Sequence, residues 1–206
     1  MKTSIKYLVA IFAIAFTFVS CSNDDETTVN ELDGITKIKE ITNDTHTIEL
    51  YSQMGSLEQG YNEISLRIKE NGTNNYIKNA EVSWSPLMHM TMMTHSCPYS
   101  AVEKVTENGT LYKGYIMFQM AQNTTEYWDL KIDYTINGVD YTVTNVIDVP
   151  ASAKRKVNTF TGSDGTKYLV ALIEPNTPKV AINNMQVGVW KMQNMMTFPV
   201  VDGYTV

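Results

Sequence analysis

Residues Tyr127 to Val149 read YWDLKIDYTINGVDYTVTNVIDV. Apolar and polar residues alternate on both sides of Asn137-Gly138, and a period of two places Trp128, Leu130, Ile132 and Tyr134 on one face of a strand. Asn-Gly favours a tight two-residue turn, because both central residues of that turn take positive φ. The stretch therefore predicts a β-hairpin. Working outward, Thr47-Ile-Glu-Leu-Tyr51 and Asn62-Glu-Ile-Ser-Leu-Arg-Ile68 alternate in the same way, with Gly60 between them. Asn71-Gly72 reads as a turn, Ala80-Glu-Val-Ser-Trp84 as another strand, and Tyr112 to Met120 is strand-like. No stretch carries an amphipathic helical period. About seven short strands in roughly 105 residues, separated by turns, predict an all-β, immunoglobulin-like β-sandwich over residues 43–150.

Pro150-Ala-Ser-Ala-Lys-Arg-Lys156 marks a boundary, after which strands begin again. Lys167 to Glu174 echoes His46 to Tyr51, and Asn184 to Trp190 parallels Asn62 to Ile68. Gly203 to Val206 would then match Ala80 to Trp84. Residues 151–206 are expected to be a partial, truncated second β repeat, or else a few final strands packed on the first domain. Three strands alone are marginally stable, so residues 157–206 should lean on the first domain or be poorly ordered.

The N-terminus carries an export signal. Lys2 and Lys6 precede an apolar run, Tyr7 to Val19, that is too short to span a bilayer and ends at Ser20-Cys21. The cysteine directly after the cleavage point makes residues 1–20 resemble a bacterial lipoprotein signal peptide, with Cys21 acylated. An ordinary signal peptide with an incidental Cys21 is the other reading. Ser22-Asn-Asp-Asp-Glu26 opens an acidic tether, residues 21–42, and resembles the surface-export tract of Bacteroidetes lipoproteins. This resemblance implies an outer-membrane lipoprotein of the cell envelope, with surface exposure as a further expectation, held at the membrane by its lipid anchor.

Lipidation of Cys21 would leave Cys97 without a disulfide partner, since the chain has only 2 cysteines. An unpaired thiol in an oxidising compartment calls for burial, metal ligation or reactivity. A net charge of −6 excludes nucleic acid as a partner, which would demand a basic face. With 43% apolar and 18% charged residues, the chain can form a packed core.

The chemistry gathers in Met88 to Cys97, MHMTMMTHSC, which holds four methionines, two of the 3 histidines and Cys97. Thioether, thiolate and imidazole donors favour Cu(I) over hard cations. If Met88 to Met92 is extended, Met88, Met90 and Met92 share one face and His89 takes the other. A turn through Thr94 to Pro98 would return His95 and Cys97 toward that row. The candidate metal ligands are Met88, Met90, Met92, Met93, His95 and Cys97, with Met120 as an accessory. Trp84 and Trp128 are candidates to shield the open side of a cuprous ion by presenting an indole face. Methionine is also a flexible core filler, and the alternating methionines are equally readable as core. Met117 reads as core, His46 as structural, and Met192, Met195 and Met196 as a second methionine patch without histidine or cysteine.

Pro86-Leu-Met-His-Met90 and His95-Ser-Cys-Pro98, with Tyr112-Lys-Gly114, Phe118-Gln-Met120 and Trp128-Asp-Leu130, resemble the YtkA-like (FixH-like) domain. The resemblance covers roughly residues 45 to 149. It implies a small exported or anchored β-sandwich associated with copper handling and oxidase assembly. Pro86, Met88, Met90 and His95 match the family's loop, and Gly114, Met120 and Trp128 match its later strands. Met92, Met93 and Cys97 are additions to the usual short loop.

Two functions follow as expectations. One is a lipoprotein that captures or delivers copper, with a metal-receiving protein as partner. The other is an immunoglobulin-like surface module for a protein or glycan, in which the methionine loop is an apolar contact and Tyr99, Tyr112 and Tyr127 carry recognition. An enzyme is not expected. With 3 histidines there is no Ser-His-Asp set, and the chain has no phosphate-cradling glycine loop.

Overall fold

Asn137 and Gly138 have φ of 51° and 78°, so the Asn-Gly turn closes the hairpin as expected. The computed structural model describes residues 30–202. The signal peptide, Cys21, the start of the tether and Gly203 to Val206 lie outside the described residues. The described residues are all-β, built from β1 (Thr36–Thr42), β2 (His46–Ser52), β3 (Gly60–Glu70), β4 (Ala80–His89), β5 (Thr94–His95) and β6 (Glu103–Lys104). The remaining strands are β7 (Tyr112–Phe118), β8 (Tyr127–Ile136), β9 (Val139–Ile147), β10 (Val157–Thr161), β11 (Lys167–Glu174) and β12 (Gln186–Lys191). No helix among the described residues is long and apolar enough to cross a membrane.

The strands form three sheets, ordered β1-β2-β3-β7-β6, β5-β4-β8-β9 and β10-β11-β12. The first two face each other as a β-sandwich. Ile48, Leu50, Ile64, Leu66 and Ile68 from one sheet and Trp84, Trp128, Leu130 and Ile132 from the other share a single buried cluster. Their spacing of two residues along each strand puts them on the inner faces. The third sheet packs on the outside of the first. Leu169, Ala171 and Trp190 bury Met117, and Trp190 Nε1 donates to Tyr115 Oη at 3.2 Å.

Three placements differ from the sequence reading. Thr36–Thr42, expected within the tether, is β1. Its isoleucines, Ile38 and Ile41, are three apart and hide from a period-two reading. A bulge between Lys37 and Lys39 lets both pack on the core. Met117 is buried, but in the second cluster; its neighbours Ile116 and Phe118 face the sandwich interior. The methionine segment was expected to follow strand Ala80 to Trp84, yet β4 runs on through Met88 and His89.

Gly114 pairs with Ile64 and faces inward, where a Cβ would lie 2.6 Å from Trp84 Cζ2 and 2.8 Å from the Ala101 carbonyl. The indole occupies the space a side chain would need. Gly114→Ala is expected to lower stability by roughly 1–3 kcal/mol through overpacking, as measured by urea unfolding.

His46 is buried beside Tyr134 and Tyr141, with ring centroids at 5.5 and 4.8 Å. Burial pulls its pKa below the usual value, with Glu70 opposing weakly. The unfolded chain therefore binds more protons, so this contribution to stability is lost as pH falls below about 6.5. Unfolding of wild type and His46→Gln between pH 5 and 7.5 should show a shallower acid loss in the variant.

Candidate functional site

Met88 is paired across β4 with His95 of β5 on one side and with Trp128 of β8 on the other. Residues directly opposite in antiparallel pairs share a face, so His95, Met88 and Trp128 form one inward row. All three are buried. Pro86, two residues earlier, has no N–H to offer a neighbouring strand. β5 is correspondingly short, and Ser96 Oγ donates to the Pro86 carbonyl at 2.8 Å instead.

His95 Nδ1 lies 2.8 Å from the Ser96 carbonyl, which can only accept, and 3.1 Å from Gln119 Nε2; a proton on Nδ1 satisfies the carbonyl and leaves the Nε2 lone pair free. Gln119 Nε2 donates to the same carbonyl at 3.0 Å. A histidine whose distal N–H is held by a backbone carbonyl has the arrangement common among metal ligands. The imidazole meets Trp128 edge-to-face at 5.6 Å.

From His95 the chain crosses between the sheets, because Tyr99 bridges to Ile116 of β7 while β5 belongs with β4. Cys97 sits at this crossing, inside the core. Burial pushes its thiol well above the ordinary range, so it is protonated at neutral pH. The thiolate, which is the ligating form, is disfavoured here.

Beyond His89 the chain turns at Met90 to Met93, with the Met90 N–H donating to the Met93 carbonyl at 2.9 Å. Met90 packs partly on the core, whereas Met92 and Met93 are 88% and 50% exposed at the tip. The expected single row Met88, Met90, Met92 is broken by this turn. The seven candidate ligands thus do not form one shell. Met88, His95 and Cys97 lie inside, Met92 and Met93 outside, and Met90 and Met120 between. Among the described residues no three His, Cys, Asp or Glu side chains converge as a metal-binding group.

The second methionine patch lies beside the first. The Ser96 N–H donates to the Met195 carbonyl at 2.9 Å, which docks the loop after β12 along the free edge of β5. Met195 and Met196 are exposed there. Both segments are visible in the sequence, but their adjacency spans about a hundred residues and has no local signal. His89 takes the face opposite Met88, as the alternation implies, and there pairs with Asp129 at 2.6 Å while stacking on Tyr127, partners the sequence reading did not name.

Other candidates are structural in part. Trp84 Nε1 donates to the Ser100 carbonyl and Trp128 Nε1 to the Met120 carbonyl. One ring neighbour of Trp128 is Phe118 at 5.0 Å. Tyr112 is buried, donating to the Lys78 carbonyl and accepting from the Ala80 N–H, whereas Tyr99 and Tyr127 are exposed. Comparison with protein-family models, curated proteins and solved structures finds no match.

The division into inner and outer methionines predicts distinct stabilities for the metal-free protein. Met88→Ala should cost about 2–5 kcal/mol by leaving a core cavity. Met88→Leu should cost under about 1.5 kcal/mol, and Met92→Ala should stay within roughly 0.5 kcal/mol of wild type. Urea unfolding of the three variants checks the order.

Proposed function

We propose that this chain is a cell-envelope lipoprotein that binds a soft metal ion, Cu(I), for capture or delivery. The observation that carries the reading is the Ser96–Met195 hydrogen bond, which lays two methionine-rich segments side by side at one edge of the sandwich. Exposed thioethers at Met92, Met93, Met195 and Met196 offer soft, neutral donors that need no deprotonation. His95 Nε2, the ring nitrogen opposite the Nδ1 that meets the Ser96 carbonyl, is the nitrogen donor. Met88, paired with His95 across β4 and β5, is the inner thioether, Met90 lies between the inner and outer groups, and Met120 is the accessory. Trp128 closes the inner side against water, and Cys97 serves the core.

The resemblance of Pro86, Met88, Met90, His95, Gly114, Met120 and Trp128 to the YtkA-like pattern supports the same reading. Acylation at Cys21 would hold the protein at the outer membrane, with the acidic tether carrying the sandwich away from the lipid. Exposed methionines then suit ligand exchange with a metal-receiving protein. The role is that of a carrier, without catalysis.

Competition titration with a chromophoric Cu(I) chelator under reducing conditions should give one equivalent bound by the unlipidated protein. A Met92/Met93/Met195/Met196→Ala variant and His95→Ala should each bind at least about tenfold more weakly, or 1.4 kcal/mol. Cys97→Ala should bind as wild type. Equal binding by the quadruple variant and wild type would sink the proposal. Independently, Cys21→Ala should move the chain from the membrane fraction to the soluble one.

A further inference from the structure

The third sheet meets the first through Trp190, which packs with Met117, Tyr61 and Tyr115. Beside these rings lies a space of about 670 Å³, lined in part by Tyr61, Tyr115, Ile173 and Trp190. It adjoins a second space of about 330 Å³, lined in part by Glu58, Tyr61, Glu63 and Glu174. Tyr61, Ile173 and Gln186 line both, so the two are the aromatic and acidic ends of one cleft. Spaces of this size are typical of small-molecule sites.

Strand register aims the side chains. Tyr61 and Glu63 alternate on β3, and Glu63 is paired with Tyr115 of β7, so all three share the outer face of the first sheet. On the opposite wall, Gln186, Gly188 and Trp190 alternate on the inner face of β12. Trp190 lies over Gly188, where a Cβ would strike the indole, so the glycine lets the ring lie along this wall. β11 carries a bulge. Leu172 pairs with Val187 and Glu174 with Gln186, so two steps along β11 match one along β12. Strict alternation from Leu169 and Ala171 would leave Glu174 on the outer face with Leu172. The bulge turns it to the face of Gln186, into the cleft.

Charge then selects the ligand. Glu58, Glu63 and Glu174 line the acidic end, and among the described residues no lysine or arginine lines either end. Lys156 engages Glu58 and Lys113 meets Glu63 at 3.3 Å, whereas Glu174 has no ion pair among the described residues. The Asn176 N–H and Nδ2 donate to the Glu174 carboxylate at 3.1 and 3.3 Å and hold it in place. Tyr61 and Tyr115 stack at 5.0 Å, and Trp190 lies 6.0 Å from Tyr115. The Tyr61 phenol is pushed up to about 12, first by burial and then by Glu63, Tyr115 and Glu174, and no positive charge acts on it.

We propose that this cleft binds a small arylalkyl amine, its ammonium held by Glu174, Glu63 and the Tyr61 ring and its apolar body against Tyr115, Ile173 and Trp190. An ammonium gains both a carboxylate partner and an aromatic face. A neutral ligand of the same shape forgoes both, and an anion meets like charge.

Titration of the mature chain (Cys21→Ser) with 2-phenylethylammonium, followed in ¹H–¹⁵N spectra, tests this. The protein is kept metal-free, so the result is independent of the copper reading. The expected result is a saturable shift of the Trp190 Nε1–H signal, with those of the core residues Trp84 and Trp128 unmoved. The neutral isostere 2-phenylethanol should bind about tenfold more weakly, and phenylacetate should leave the signal in place. Glu174 is exposed, so Glu174→Gln should keep the same thermal unfolding while bringing the ammonium to within about threefold of the alcohol. A Trp190 signal unmoved at about 10 mM ammonium, equal affinity for amine and alcohol, or a preference unchanged in Glu174→Gln would each overturn the inference.

Discussion

The pairing of Met88 with His95 on one side and Trp128 on the other sets the register on which the candidate site depends. Period-two alternation then leaves no choice for the neighbours. Trp84 and Met88 face the core, and His89 faces Asp129 on the outside. A slip of one residue would put His89 in the core and Met88 in solvent. The large inward side chains on either side, with Gly114 making room for Trp84, make that slip expensive.

From this register the rest of the sandwich edge follows. β5 is held to two residues beside Pro86, so its outer edge is left for the Met195 loop, and the chain crosses to β7 through buried Cys97. The third sheet is tied to the same region, since it covers Met117 of β7 and ends in the loop that docks on Ser96. The soft donors are thereby sorted into an inner group around His95 and an outer group spread over two loops. Methionine serves both places because it is flexible and polarizable.

The sandwich was largely legible in the sequence. Trp128 to Tyr134 alternates cleanly, Asn137-Gly138 dictates its turn, and the strands around Ile48 and Ile64 announce their inner faces. β1 was missed because a bulge spoils the alternation of Ile38 and Ile41. The candidate site was legible only in composition. The sequence names the donors in MHMTMMTHSC, but the Met90–Met93 turn and the burial of Cys97 are products of tertiary packing. The Ser96–Met195 contact joins segments with no local relation. A partial second repeat was expected over residues 151–206; what the described residues show there is a three-stranded sheet packed on the outside of the first.

In the proposed site, thioether sulfur and one imidazole, not a thiolate, hold the metal. X-ray absorption at the copper edge of the Cu(I)-loaded protein tests this most directly. The predicted shell has one nitrogen at about 2.0 Å and two or more sulfurs at about 2.3 Å, values typical of imidazole and sulfur ligands, and it is unchanged in Cys97→Ala. A shell of light atoms alone, or one that loses its sulfur in Cys97→Ala, would contradict it.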